Sequence, residues 1–386
     1  MCGRLNYSLY GTRDAASNWE NTYVDVMCQT GFVQGMSSPC IFIHKEKDIV
    51  TVVHGDDFTS LGVESSLHWL ADQLKLKFSI KERGILGPEP RDAKEIRLLN
   101  RIIAWEPTGI RYEADQRHAE IVIKSLNLDN AKGVSTPGTK DRDKSEEDDE
   151  LLNAETATLY RACVARCNFL SLDRPDIQFA TKELSRTMSK PTLHDMANLK
   201  RLGRYLKQYP RAVFYFRFQT LPKHIDVFSD TDWAGCLKTR KSTQGGSVML
   251  GQHCFKHWSS TQAIIALSSG EAEYYGVVKA SSVGLGIQSM FCDMGHDMSL
   301  IVHTDAEAAK GIASRTGLGK TRHIDVHYLW VQEQIKNNKI ILRKVWGADN
   351  PADLLTMYLD STRIINLMNK LGCFYKSGRA DEAPSI

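Results

Sequence analysis

Four acids in the last third of the sequence constrain what this chain can fold into more than any other feature, because each stands at a joint between elements. Asp230 follows an apolar run at 225–228, and Glu273 falls in the first turn of a long helical pattern at 271–294. Asp305 follows a second apolar run at 300–303, and Asp353 opens a helix after a third run at 340–346. Around them, 212–218, 247–250 and 254–258 read as further strands, and 306–313 and 326–338 as helices. Strands followed by alternating helices and strands imply a mixed sheet covered by helices. In an open α/β sheet, strand ends and helix starts of this kind converge on one edge. The four carboxylates are therefore expected to meet, with no lysine or arginine among them.

Such a cluster repels itself unless it is protonated or occupied by cations. Hard oxygen ligands suit Mg²⁺ or Mn²⁺, and two ions about 3.5 to 4 Å apart can clamp a phosphodiester. A single Asp after a strand is ordinarily a turn or cap residue; the coincidence of four is what favours a metal site. Asp232 and Glu271 compete with their neighbours two positions away. Asp232 shares the face of Asp230 if the strand runs that far, and Glu271 suits the start of a helix dipole.

At 386 residues, 42% apolar and 25% charged, the chain has core material for two or three domains. A net charge of +3 makes any polyanion-binding surface a local one. Nine cysteines at irregular spacing argue for free thiols in a reducing compartment, with Cys163 and Cys167 as small buried residues rather than metal ligands. No stretch is apolar for the 18 or so residues that a bilayer requires, and the first residues lack a secretory signal. A soluble intracellular chain without a membrane partner is expected.

The first unit reads as a helix at 18–31, a hairpin of 40–43 with 49–53, a helix at 64–74 and a short strand at 77–80. His54, Gly55, Asp56 and Asp57 follow the hairpin directly. A strand pair at 98–104 and 109–112 precedes helices at 118–126, 155–172, 176–188 and 193–208, the last basic on one side through Lys200, Arg201, Arg204 and Lys207. Between them, 139–150 is a polar run of like charge, expected as a connector. The expected boundaries are 1–98, 99–220, 221–368 and a flexible tail at 369–386.

The sequence resembles the carboxy-terminal part of the polyprotein of Ty1/copia-type LTR retrotransposons, from the second half of reverse transcriptase through ribonuclease H. The matching stretches are Ser229-Asp-Thr-Asp-Trp-Ala-Gly235, Arg240-Lys-Ser-Thr243, His257-Trp-Ser-Ser260, Ala266-Leu-Ser-Ser-Gly-Glu-Ala-Glu-Tyr274, Lys320-Thr-Arg-His-Ile-Asp325 and Asn350-Pro-Ala-Asp353, in the family's order. The resemblance implies an α/β (α+β) chain: a truncated palm, a helical connection and a ribonuclease H-like mixed sheet with flanking helices. It also implies Asp230, Glu273, Asp305 and Asp353 as ligands of two Mg²⁺ ions (or Mn²⁺), with the RNA strand of an RNA/DNA hybrid as substrate. It favours Glu273 over Glu271, and it implies a place in the cytoplasm, in virus-like particles or in the nucleus. Arg240, Lys241, Arg322 and His323 are candidates for gripping phosphates and the A-like groove.

The amino-terminal region resembles the same family through Leu9-Tyr10-Gly11, Trp19, Gly31-Phe32, Asp56-Asp57, Tyr160-Arg161 and Arg174-Pro-Asp-Ile177. It departs from the family in having His54-Gly55 where Tyr-Val is usual, and Asp14-Ala15-Ala16 in place of Gln-Ala-Pro. Asp56 and Asp57 thus read as a vestigial polymerase site. The palm's third carboxylate would lie in an amino-terminal part of the polyprotein ahead of Met1, so RNA-directed DNA polymerase activity is expected to be lost and that part is an expected partner. Two other readings stay open: an inactive remnant that only binds nucleic acid or its parent protein, and an integrase-like recombinase, which the 266–274 motif and Asp353 disfavour.

Overall fold

The structure is a computed structural model that describes residues 8–9, 11–140, 150–381 and 383–384. Most of the expected acidic connector, 141–149, and Tyr10 of the Leu9-Tyr10-Gly11 motif lie outside the described residues. The chain divides into two compact units, Met1–Arg83 with Gly286–Met298 and Gly84–Leu285 with Ser299–Ile386. The stretch expected as 99–220 and, apart from 286–298, that expected as 221–368 fall in one unit, and the first boundary lies at Arg83 rather than at residue 98.

In the first unit, helix Ala15–Gln29 and helix Glu64–Lys75 accompany a four-stranded antiparallel sheet in sequence order, Val33–Gln34, Ile41–His44, Ile49–His54 and Asp57–Leu61. Tyr23, Met27, Phe42, Ile49, Val53, Leu70 and Leu74 form its core. Two expectations are corrected here. The chain turns back through Gly55 and Asp56, so that Asp57 opens a fourth strand laddered against His54. The 77–80 segment is not a strand; Phe78 and Ile80 pack on the core from irregular backbone.

The second unit holds two five-stranded sheets. One is antiparallel throughout, in the order Cys373–Lys376, Arg211–Arg217, Gly109–Glu113, Arg101–Glu106, Glu95–Leu98. Helices Arg117–Ser125, Ala154–Ser171, Pro175–Ser185 and Leu193–Gln208 build a core around Tyr160, Val164, Cys167, Ile177, Leu199 and Leu206. Their starts are chemically marked. Asn153 caps the second, Pro175 opens the third, and Thr192 with Asp195 forms a capping box for the fourth. On the basic side of that last helix, Arg204 and Lys207 donate to the carbonyls of Lys132, Asp129 and Ala131, and Arg201 donates to Thr136. These cations thus fasten the 129–136 segment to the helix.

The other sheet runs His253–Thr261, Thr243–Leu250, His224–Asp232, Ser299–Thr304, Ile341–Lys344. Its first three strands are antiparallel and the last two run parallel to His224–Asp232. With the long helix Ser269–Asp293, this is the mixed sheet with flanking helices of the ribonuclease H type. The helix expected at 326–338 divides into a 3₁₀ turn, Val326–Leu329, and an α-helix, Trp330–Lys336. Asp353 does not open an α-helix: it lies in a 3₁₀ turn, Pro351–Leu355, and the helix begins only at Ser361, capped by Asp360.

The tail expected to be flexible from 369 is ordered through Lys376. Cys373–Lys376 completes the antiparallel sheet as an edge strand, with Cys373 fully buried. Tyr375 reaches the buried carboxylate of Asp176, which also accepts from Tyr205 at 3.0 Å and from Arg174 at 2.7 Å. One carboxylate thus joins the carboxy-terminal strand to two helices. Removing one partner of a buried, hydrogen-bonded ion pair leaves the other charge unmatched, so Asp176→Ala is expected to cost about 3 to 5 kcal/mol. Urea unfolding checks this, and an unchanged midpoint would show the network to be dispensable.

Candidate metal centre

The His224–Asp232 strand alternates, so Asp230 leaves the sheet on one face while Ser229 and Thr231 face the long helix. Glu273 lies just inside the start of that helix, and Asp305 follows the Ser299–Thr304 strand directly. Among the described residues, Asp230, Glu273 and Asp305 form the one group of three whose ligand oxygens lie within 4.8 Å of one another. Asp230 and Glu273 are buried, 6% and 8% exposed, and Asp305 is half-buried.

The approach of helix to strand is permitted by a missing side chain. A Cβ on Gly276, one turn after Glu273, would fall 2.6 Å from Thr231 Oγ1 and 2.8 Å from Ser229 Oγ. With the gap closed, the backbone N–H of Thr231 donates to Glu273 Oε1 at 3.1 Å. Glu273 Oε2 has no hydrogen-bond partner among the described residues although it is buried. A buried carboxylate oxygen left bare beside two further carboxylates fits a divalent cation, because only added positive charge relieves both desolvation and repulsion.

Burial first, and then the charges of Asp353 and Asp305, raise the Asp230 carboxyl to about 7 against the opposing Thr356 hydroxyl bond. Burial, then Asp230 and Asp305, raise Glu273 to about 9. Asp305 is raised chiefly by burial, with Lys344 opposing.

Asp353 is near enough for its charge to act on Asp230 and Glu273, but its own carboxylate is held by Arg363 at 2.7 Å. The expectation of four acids without a cation is corrected on this point: Arg363 sits in the first turns of the helix that follows Asp353's own turn. Neither competitor belongs to the triad. Asp232 is half-buried, and burial raises its carboxyl against the opposing charges of Lys140 and Lys182. Glu271 is fully engaged, accepting from Leu267 N–H at 3.1 Å, Tyr275 O–H at 2.8 Å and His323 at 2.8 Å. Of the candidate contact residues, Arg240 and Arg322 are exposed, Lys241 is half-buried, and His323 is exposed but tethered to Glu271. In the other unit Asp56 is exposed and Asp57 pairs with Arg83 at 3.3 Å; among the described residues neither joins a group of three ligands.

Sequence reasoning missed two supports of the triad. Thr356, fully buried, donates its hydroxyl to Asp230 Oδ2. Asn350, also fully buried, donates to the Ser229 carbonyl at 2.9 Å and accepts from Ala352 N–H, which pins the 350–353 turn beside Asp230. Gly245, laddered opposite Asp230, leaves the space that Leu355 and Thr356 occupy, since a Cβ there would lie 2.7 Å from Leu355 Cβ. The only sequence signal was the Asn350-Pro-Ala-Asp353 motif; nothing marked Thr356.

The raised carboxyls make the metal-free fold sensitive to pH. Their folded pKa values exceed the unfolded ones of about 4, so the folded state holds the extra protons and its stability falls as pH rises through that window. For Asp230 the window ends near 7 and for Glu273 near 9. In thermal denaturation without metal, Asp230→Asn is expected to be more stable than wild type, by a margin that widens from about pH 5 to pH 8. Mg²⁺ should raise the wild-type Tm, and more at the higher pH. A margin independent of pH, with no Mg²⁺ effect, would contradict the reading of the cluster.

Over 380 residues, 96% of this chain, the sequence is 30% identical to the retrovirus-related Pol polyprotein from transposon RE1 of Arabidopsis thaliana. It is 29% identical to the corresponding polyprotein from transposon RE2 of the same plant, again over 96% of this chain. The chain spans about a quarter of the length of each, 25% in both cases. The structure of a foamy viral protease-reverse transcriptase in complex with an RNA/DNA hybrid aligns with 88% of this chain and 39% of its own, at 12% identity and a TM-score of 0.48. No protein-family model matches the chain. The ordered motifs and these polyprotein relatives together show that the chain belongs to the Ty1/copia-type Pol polyproteins, matching their reverse transcriptase and ribonuclease H region.

Proposed function

We propose that this chain hydrolyses the RNA strand of RNA/DNA hybrids, using two Mg²⁺ ions held by Asp230, Glu273, Asp305 and Asp353. The observation that carries the reading is the triad on a ribonuclease H-type sheet, with a buried Glu273 oxygen that lacks a protein partner. That arrangement supports a metal-dependent nuclease function; the hybrid substrate and the number and kind of ions are our inference.

The residues divide the work by position. Asp230 is oriented by the Thr356 hydroxyl, and Glu273 by the Thr231 N–H, so both offer fixed oxygens. Preorganised ligands of this kind cost no rearrangement when charge develops on a phosphodiester. Asp353, which pairs with Arg363, would complete the ligand set from the outer side of the cluster. When bound, divalent ions supply the positive charge that activates a water and steadies the leaving oxygen. Arg240, Lys241, Arg322 and His323 are our candidates for holding the strands, through phosphates and the ribose 2′-OH that distinguishes RNA from DNA. Asp56 and Asp57 join no group of three possible metal ligands among the described residues. No helix among the described residues is long and apolar enough to cross a membrane.

The test is cleavage of an end-labelled RNA/DNA hybrid in Mg²⁺ and in Mn²⁺. Loss of the several kcal/mol that bound metal supplies corresponds to about a hundredfold or more in rate, so Asp230→Asn and Glu273→Gln are expected to fall by at least that factor. Folded wild-type protein that binds the hybrid without cutting it under either ion would replace the nuclease reading with that of a binding remnant.

A further inference from the structure

Large aromatic side chains are usually buried or given a polar partner, because each carries a large apolar area. Trp19 and Trp233 follow the rule, donating to the carbonyls of Gly55 and Ala266, and Trp105 packs on Phe218. Trp346 breaks it. It is 73% exposed, and its indole has no ring, cation or hydrogen-bond partner among the described residues.

Its position connects this exposure to the metal centre. Lys344 is laddered to Thr304, the residue before Asp305, and Val345 N–H donates to the Thr304 carbonyl at 3.0 Å. A Cβ placed on Gly347 would lie 3.2 Å from Asp305 Oδ2, so the backbone next to Trp346 passes directly alongside that carboxylate. The turn is also rigidly held. Asp349 N–H donates to the Trp346 carbonyl at 2.7 Å, and Arg363 donates to the carbonyls of Gly347 and Ala348 while pairing with Asp353. A bare indole on a clamped turn at the rim of a nuclease centre has the properties of a preorganised stacking surface. Every base presents a π-face to such a surface, whatever its sequence.

We propose that Trp346 is a stacking platform that seats one nucleotide of the nucleic-acid strand bound at the carboxylate centre. Trp346 acts by positioning and touches no reacting atom. The inference rests on the nuclease reading for the presence of a strand there, but makes a separate claim about binding.

The test uses the full chain and a short labelled RNA/DNA hybrid, with Ca²⁺ in place of Mg²⁺, comparing wild type with Trp346→Leu and Trp346→Phe. Stacking on an aromatic side chain is worth about tenfold in affinity per base, so the Leu variant should bind about tenfold more weakly and the Phe variant close to wild type. The Tm of all three should agree, since the side chain is exposed. The wild-type minus Phe-variant emission, which isolates Trp346 among the seven tryptophans, should be quenched by the hybrid. Equal affinities for all three proteins, with no quench assignable to Trp346, would overturn the platform. Hybrid cleavage by wild type with unaltered binding by the Leu variant would remove the platform alone. Binding that depends on Trp346 without cleavage in Mg²⁺ would remove the nuclease reading alone, and a wild type that binds no hybrid would remove both.

Discussion

The burial of three carboxyl groups, Asp230, Glu273 and Asp305, beside one another is the constraint around which the carboxy-terminal part of this chain is built. Burying like charges close together is unfavourable, and a fold retains such an arrangement only when packing elsewhere holds it in place. Here the holding elements are local and can be named. Gly276 lets the long helix descend onto the strand, Thr231 ties Glu273 to the backbone, and Thr356 ties Asp230 to the end of the turn that contains Asp353. Asn350 fixes that turn to Ser229, and Gly245 leaves room for it. The scaffold thus stores an electrostatic deficit that a divalent cation is suited to fill.

Arg363 gives the site a second level of organisation. The same guanidinium pairs with Asp353 and holds the carbonyls of Gly347 and Ala348, so one side chain sets the position of an outer acid and of the turn that runs past Asp305. Helix Pro175–Ser185 supports the site from the connection side. His257 meets Gln178 at 2.8 Å, Lys182 donates to Thr243 at 2.7 Å, and Phe179 meets Tyr358 edge-on at 4.8 Å. These contacts join the helical stretch to the sheet that carries the triad within one compact unit.

The triad was legible because its members stand at element boundaries, and strand and helix periods can be read locally. What was not legible depends on contacts over distance or on segments too short for a period. Arg363 is ten residues beyond Asp353, across a turn and a helix start, and nothing local pairs the two. Thr356 has no pattern to mark it. Cys373–Lys376 is four residues long, and its strand character comes from the Arg211–Arg217 edge it covers. Arg204 and Lys207 read as a basic face but bond to backbone carbonyls, a choice that depends on where the 129–136 segment lies. The 326–338 helix was right in place and broken in form, because Asp325 caps a 3₁₀ turn before the α-helix begins.

The central claim is that the triad holds divalent metal, and the most direct test is an anomalous difference map from a crystal grown in Mn²⁺. The account predicts a peak within about 2.0 to 2.6 Å of oxygens from Asp230, Glu273 and Asp305, the range of metal–carboxylate bonds for hard divalent ions. An ordered triad with no peak at saturating Mn²⁺, at a pH above the raised carboxyl values, would contradict it.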